Sequence, residues 1–175
     1  MKTKLNITLI GIFLISVLAI SGCGASSNTG TSEADINAFR EKVDSFSASI
    51  ADTDEKINSV DTASEGYVSE ITGLLDSLNA SFADFSAIEF PQEFEYLKHL
   101  SVEAADYMSQ AIAIYDQVYT DSSLSEDDMR TKYDEATTLY NNAFKRIKVI
   151  MTFLNGEISE DANVQTEESG TLTEP

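Results

Sequence analysis

The sequence predicts an all-α protein, which would most simply fold as an antiparallel bundle of four helices. Apolar side chains recur at spacings of three and four residues through residues 33–155, which is the repeat of one helix face. No useful length of this region alternates apolar and polar residues as a β-strand does, and the connections between the periodic segments are short. Three long helices are the alternative architecture.

The first helix is expected to begin after Ser32. A serine side chain can cap a helix, and Asp35 stands three residues later, at the spacing of a capping box. The apolar stripe that follows keeps spacings of three and four throughout, which indicates one continuous helical face. The stripe consists of Ile36, Phe39, Val43, Phe46, Ile50, Thr53, Ile57 and Val60.

A second helix is expected after a break at residues 61–66. Thr62 and Glu65 have capping-box spacing, and Gly66 would weaken a continuous helix by about 1 kcal/mol relative to alanine. The apolar phase nevertheless runs on through the break, so residues 33–86 could also form one helix. We prefer two, because a helix of more than about 50 residues is rare in a small domain. The second stripe consists of Val68, Ile71, Leu74, Leu75, Leu78, Phe82 and Phe85.

Pro91 marks the start of the third helix. Proline suits the first turn of a helix, and the residue before it is expected to be extended. The apolar residues around it, Ile88, Phe90 and Phe94, are expected to plug the end of the bundle; an exposed patch for a partner is the alternative. The third stripe consists of Phe94, Leu97, Leu100, Ala104, Met108, Ala111, Tyr115 and Val118.

The fourth helix has the clearest start signal. Ser125 can cap it, and three acidic residues at 126–128 occupy the first turn, where the helix dipole favours negative charge. Gly156 is the expected stop. The fourth stripe consists of Met129, Tyr133, Ala136, Tyr140, Ala143, Ile147, Ile150 and Leu154.

Residues 1–22 have the layout of a secretory signal. Lys2 and Lys4 precede an apolar run at residues 5–20, and the segment ends Ile20-Ser21-Gly22-Cys23. This ending resembles the lipobox of bacterial lipoproteins, with Ile20 in place of the usual leucine. The resemblance implies cleavage before Cys23 and a diacylglyceryl lipid on its sulfur. Two acyl chains give stable membrane anchoring, whereas one chain is marginal.

The rest of the chain divides around the helical domain. Residues 23–32 are expected to form the lipidated cysteine and a flexible linker, and residues 156–175, with six acidic and no basic side chains, a disordered acidic tail. The whole chain resembles small helical lipoproteins of Gram-positive bacteria. That resemblance implies a non-enzymatic protein tethered at the extracytoplasmic face of the cell membrane, or at the outer membrane in a Gram-negative cell.

The composition excludes several kinds of function. The chain has 175 residues and a formal net charge of −19, which is unsuitable for binding nucleic acid because phosphate contacts need clustered Lys and Arg. One Cys cannot form an internal disulfide or a zinc site of several cysteines, and one His cannot build a two-histidine zinc site. The histidine lies in no recognisable nucleophile motif, so we expect no enzyme and no cofactor besides the lipid.

Glu95, His99 and Glu103 stand four residues apart and would share one face of the third helix. Three such groups could hold a divalent cation weakly, but a transition-metal site usually needs more nitrogen or sulfur ligands. We therefore expect a solvated face and assign no metal site. The three residues remain candidate contacts for a ligand or partner.

Tyrosines are concentrated in the third and fourth helices, where they could line a groove for a ligand. Tyr96, Tyr107 and Tyr119 fall off the apolar stripes and are the candidate contact residues, whereas the other tyrosines of these two helices belong to the stripes. The charge is expected to be spread over the helix faces. These features predict an interaction module that binds another envelope or extracellular protein; a module that binds a small molecule or cation is the alternative.

Overall fold

The computed structural model describes residues 32–154 and confirms an all-α bundle of four helices. The helices are α1 (Glu33–Ser59), α2 (Tyr67–Ala87), α3 (Lys98–Thr120) and α4 (Glu126–Leu154). None of these helices is long and apolar enough to cross a membrane. The predicted signal, the predicted lipidation site Cys23, the predicted linker up to residue 31 and the predicted acidic tail lie outside the described residues.

Contacts between α3 and α4 show that the two helices are antiparallel. Glu103, near the start of α3, lies 2.7 Å from the Nε atom of Arg146, near the end of α4. Tyr115, near the end of α3, has its hydroxyl 2.9 Å from the hydroxyl of Thr137, in the first half of α4. Residue numbers therefore increase along α3 in the direction in which they decrease along α4.

The helices α1 and α2 are related by the same reversal. The hydroxyls of Ser49 and Ser81 are 2.9 Å apart, and the ring of Phe39, earlier in α1, contacts the ring of Phe90, just beyond α2. An even number of alternating helices brings Ser32 and Leu154 to the same end of the bundle, which we call the proximal end. The connections at residues 60–66 and 121–125 lie at the other end, the distal end.

The bundle is held together by its four apolar stripes, but the placement of Val68 on the second stripe is wrong, because its side chain at the start of α2 is 40% exposed. In the first stripe every residue from Phe39 to Val60 is buried, and Ile36 is half-buried. Spacings that alternate strictly between three and four keep the stripe facing its neighbours along the full helix, as in a coiled coil. Each fully buried side chain of the size of leucine contributes about 1.5–3 kcal/mol.

Two of the predicted helix caps are confirmed. The Oγ atom of Ser32 accepts a hydrogen bond from the backbone N–H of Asp35 at 3.2 Å, and the Asp35 carboxylate accepts one from the backbone N–H of Ser32. At the start of α4 the Oγ atom of Ser125 accepts from the backbone N–H of Asp128 at 3.1 Å. Each cap satisfies donors that the first turn leaves without an intrahelical partner.

The predicted break between α1 and α2 is confirmed, but its predicted cap is wrong. The helix α2 begins at Tyr67, and the preceding Gly66 makes no side-chain capping bond. Residues 61–66 form turns in which the Asp61 carboxylate accepts from the backbone N–H of Ala63 at 2.8 Å. The Asp61 side chain therefore stabilises the turn, and Thr62 does not cap α2.

The helix α3 begins later than the sequence predicts. Backbone hydrogen bonds from Phe94 to Pro91 (2.8 Å) and from Leu97 to Phe94 (2.9 Å) form tight turns before the α-helix starts at Lys98. A repeat of three residues places these positions in line, as in a 3₁₀ helix, and so directs Phe94 and Leu97 into the end of the bundle. Phe94 and Phe90 are both buried, so the predicted plug is confirmed.

We expect the substitution Ala104→Leu to destabilise the fold by about 1–3 kcal/mol, because Ala104 is completely buried and a larger side chain would overpack the core. Ala113→Leu is the matched control on the same helix, where the side chain is exposed and the change should stay within about 0.5 kcal/mol. Urea unfolding followed by circular dichroism measures both. Equal effects at the two positions would contradict the packing described here.

Candidate functional site

The six side chains that the sequence singles out do not form one site. Glu95, Tyr96 and His99 lie near the proximal end, whereas Tyr119 lies at the distal end of α3. The helical rise separates His99 from Tyr119 by about 30 Å. The candidates therefore belong to separate local arrangements.

The predicted alignment of Glu95, His99 and Glu103 on one helix is wrong, because Glu95 lies in the 3₁₀ turn (Glu95–Leu97) before α3 begins. The Nδ1 atom of His99 is 2.8 Å from the carbonyl oxygen of Tyr96, and Glu103 is paired with Arg146. Within residues 32–154 no three His, Cys, Asp or Glu side chains are placed to hold a metal ion.

Glu103, Arg146 and Tyr107 form a small polar contact between α3 and α4. The Arg146 Nε–H donates to the Glu103 carboxylate at 2.7 Å, and its guanidinium carbon lies 5.8 Å from the centre of the Tyr107 ring. The side chains of the ion pair are 29% and 41% exposed, so water screens the pair. Tyr107 is half-buried, and the guanidinium of Arg146 lies over its ring. Less of the ring surface is therefore open to a ligand than the sequence indicated.

Tyr96 contributes to the proximal end. Its ring is 41% exposed and packs edge-on against Phe153 of α4, with 5.8 Å between the ring centres. The side chain therefore anchors the 3₁₀ turn to the end of α4 and still presents part of its surface.

Five tyrosines gather in the distal half of the bundle, and we call them the tyrosine cluster. The Tyr115 and Tyr133 ring centres are 5.4 Å apart, and those of Tyr67 and Tyr119 are 6.0 Å apart. Tyr140 completes the cluster from α4. Tyr115 and Tyr140 are buried as their stripe positions predict, and Tyr119 is half-buried. The cluster thus joins α2, α3 and α4.

Burial makes three members of the tyrosine cluster harder to ionise. It raises the pKa of Tyr115 to about 12, although the hydrogen bond with Thr137 opposes the shift. The pKa of Tyr119 is raised by burial and by the neighbouring Tyr67, and that of Tyr140 by burial and by the negative charge of Asp54. Because these three pKa values move away from neutrality, the phenols stay protonated in the core.

A concave surface lies elsewhere, on the outer side of α1 and α2 and mostly in the proximal half, and we call it the α1–α2 groove. It is a shallow depression, open to solvent, with a volume of about 530 Å³. Its floor is the stacked pair Phe46 and Phe85, whose ring centres are 4.3 Å apart. The groove is lined by Ala38, Glu41, Lys42, Ser45, Phe46, Ser49, Ser81, Asp84, Phe85 and Ile88.

The α1–α2 groove was not predicted from the sequence. A signal for it was nevertheless present, because Ala38, Ser45 and Ser49 are small residues next to the α1 stripe. Small side chains there leave room beside the buried phenylalanines. The facing residues of α2 complete the groove only once the two helices are packed, and one helix alone does not show this.

We expect the free energy of unfolding to fall as the pH rises from about 10 to about 12. The unfolded chain loses the Tyr115 proton near pH 10, whereas the folded chain holds it to about pH 12. The burial contribution is therefore complete below the unfolded pKa and is lost as the pH passes the folded pKa. Urea unfolding at about pH 9 and about pH 11 measures the loss. Tyr115→Phe should lose less stability over this interval; equal losses would contradict the assignment.

Comparison with known proteins identifies no relative of the chain. No family model matches the chain, and neither a curated protein nor a solved structure is significantly similar to it. A helical bundle is an architecture that many unrelated functions share, so the fold alone does not indicate an activity. The function has to be inferred from the residues of this chain.

Proposed function

We propose that the protein is a lipid-anchored extracytoplasmic interaction module, without enzymatic activity, that binds another envelope or extracellular protein. The observation that carries the proposal is the placement of the chain ends. Ser32 begins the bundle at its proximal end, nine residues after Cys23. A lipid on Cys23 would therefore keep the proximal end towards the membrane and present the distal connections, residues 60–66 and 121–125, to other proteins.

The distribution of charge supports this orientation. The distal half, residues 47–77 and 110–140, carries 14 acidic and three basic side chains, whereas the remaining described residues carry ten acidic and six basic ones. The charge is thus less evenly spread than the sequence led us to expect. Anionic lipid headgroups repel acidic surfaces, so the distal half would be directed away from the membrane.

The internal polar groups favour a binding role over catalysis. Catalytic acids and bases usually have pKa values shifted towards neutrality and lie in a cleft. The buried tyrosines have theirs shifted away from neutrality, and Arg146 is held by Glu103. These arrangements stabilise a rigid scaffold, which suits a protein that acts by presenting a surface.

A small-molecule or cation-binding module is the second candidate function. The α1–α2 groove favours it, because a concave surface with an apolar floor and a few polar groups is the usual form of a ligand site. The groove lies on the flank of the bundle and leaves the distal connections open to a protein partner.

The lipid anchor is tested by the substitution Cys23→Ala. We expect the native chain to incorporate labelled palmitate and to fractionate with membranes, and the variant to lose the label because the acylated sulfur is gone. Ser26→Ala, in the predicted linker, is the matched control and should behave like the native chain. A Cys23→Ala chain that still carries the label would exclude the proposed anchor.

The partner-binding proposal is tested by photo-cross-linking in native membranes. A benzophenone amino acid at Ser123, in a distal connection, should capture one specific envelope or extracellular protein. The same probe at Glu93, which is exposed at the proximal end, is the control and should capture much less of it. Repeated failure to recover a specific protein from either position would count against an interaction module, and capture from Glu93 alone would reverse the proposed orientation.

A further inference from the structure

We propose that the α1–α2 groove binds a small organic cation that has an apolar body. The inference deepens the second candidate function, because it names the chemical class of the ligand and the residues that contact it. It is independent of the protein-binding proposal, which concerns the distal connections. Three properties of the groove carry it: its apolar floor, the hydrogen-bonding state of its serines and the charge of its rim.

The floor of the groove suits an apolar or aromatic group. Phe46 and Phe85 are stacked with 18° between their ring planes, and Phe46 is 7% exposed. Ala38 and the half-buried Ile88 extend this surface towards the proximal end. The volume of about 530 Å³ falls within the range of small-ligand sites, about 300–1,000 Å³.

The serine hydroxyls of the groove are acceptors because their protons are already used. Ser45 donates to the carbonyl oxygen of Glu41 at 2.8 Å, and Ser81 donates to that of Ser77 at 3.1 Å. The hydroxyls of Ser49 and Ser81 are 2.9 Å apart, and Ser49 is the donor when Ser81 gives its proton to Ser77. Each hydroxyl oxygen keeps lone pairs for a further bond. A ligand that donates hydrogen bonds would therefore find acceptors in the groove.

The rim of the groove selects for positive charge. Glu41 and Asp84 supply two carboxylates, and Lys42 supplies one ammonium. The ion pairs found within residues 32–154 are Lys56–Asp52 and Arg146–Glu103, so these three charges are not paired with one another. An ammonium or guanidinium group would meet two opposite charges and several acceptors. An anionic ligand would meet repulsion and only one donor side chain.

Three probes with the same apolar body test the inference: phenethylammonium, neutral 2-phenylethanol and 3-phenylpropionate. Each is titrated into the full processed chain in lipid nanodiscs, and amide chemical shifts are recorded. We expect saturable shifts at the groove residues with phenethylammonium, and an affinity about tenfold higher than for either other probe, which corresponds to about 1.4 kcal/mol. Equal affinities for all three probes, or shifts confined to other surfaces, would overturn the proposal.

Variants assign the effect to the groove. The double substitution Glu41→Gln, Asp84→Asn should lower the affinity for phenethylammonium about tenfold, whereas Lys42→Gln should raise it by removing the competing ammonium. Asp76→Asn, at an exposed acid of α2 outside the groove, is the matched control and should leave it unchanged. An equal loss with Asp76→Asn would show that net charge alone attracts the probe.

A filling substitution tests the floor. Ser45 is exposed, so Ser45→Leu should preserve the fold, which circular dichroism checks, while the larger side chain occupies the groove. We expect the saturable shifts to disappear in this variant. Unchanged binding to a folded Ser45→Leu chain would contradict the groove as the site. Failure of every groove test would leave the cross-linking result unaffected, because that experiment probes a different surface.

Discussion

The burial of four apolar stripes is the constraint on which the rest of the structure depends. A stripe with spacings of three and four residues cannot be hidden by a helix alone, so each helix must pack its stripe against the others. Short connections then force neighbouring helices to run in opposite directions. With four helices this brings Ser32 and Leu154 to one end. The direction in which an anchored bundle would point therefore follows from hydrophobic burial and from the even number of helices.

The aromatic residues divide the interior into two unlike halves. All eight described phenylalanines lie in the proximal half, whereas five of the seven tyrosines lie in the distal half. A phenylalanine side chain has no hydrogen-bonding group, so the proximal core can be filled by ring packing alone. The ring of Phe39, for example, packs against Phe90 and Phe94. A buried tyrosine needs a partner for its hydroxyl, which Thr137 supplies to Tyr115. The distal core consequently depends on hydrogen bonding as well as on packing.

Periodicity and capping chemistry were sufficient to predict the four helices, because both are properties of neighbouring residues. Ser32 and Ser125 cap as predicted. Thr62 does not cap α2, because the Asp61 side chain stabilises the turn between α1 and α2. The helix α3 starts later than predicted, because the packing of Phe94 and Leu97 shapes the turns before it. The α1–α2 groove escaped prediction for a related reason. It forms where Ser45 and Ser49 of α1 face Ser81 and Asp84 of α2. The sequence of one helix does not determine its register against another helix.

The chain has a net charge of −19, but salt screening limits the effect of each charged group to its own surroundings. At physiological ionic strength the Debye length is about 8 Å, whereas a helix of 27 residues is about 40 Å long. Charges at the distal end are therefore screened from the α1–α2 groove, and the groove responds to its own Glu41, Lys42 and Asp84. The same screening would keep a partner proposed for the distal surface from altering the groove. Two surfaces of one acidic chain can in this way select different binding partners, each through the charges within a few ångströms of it.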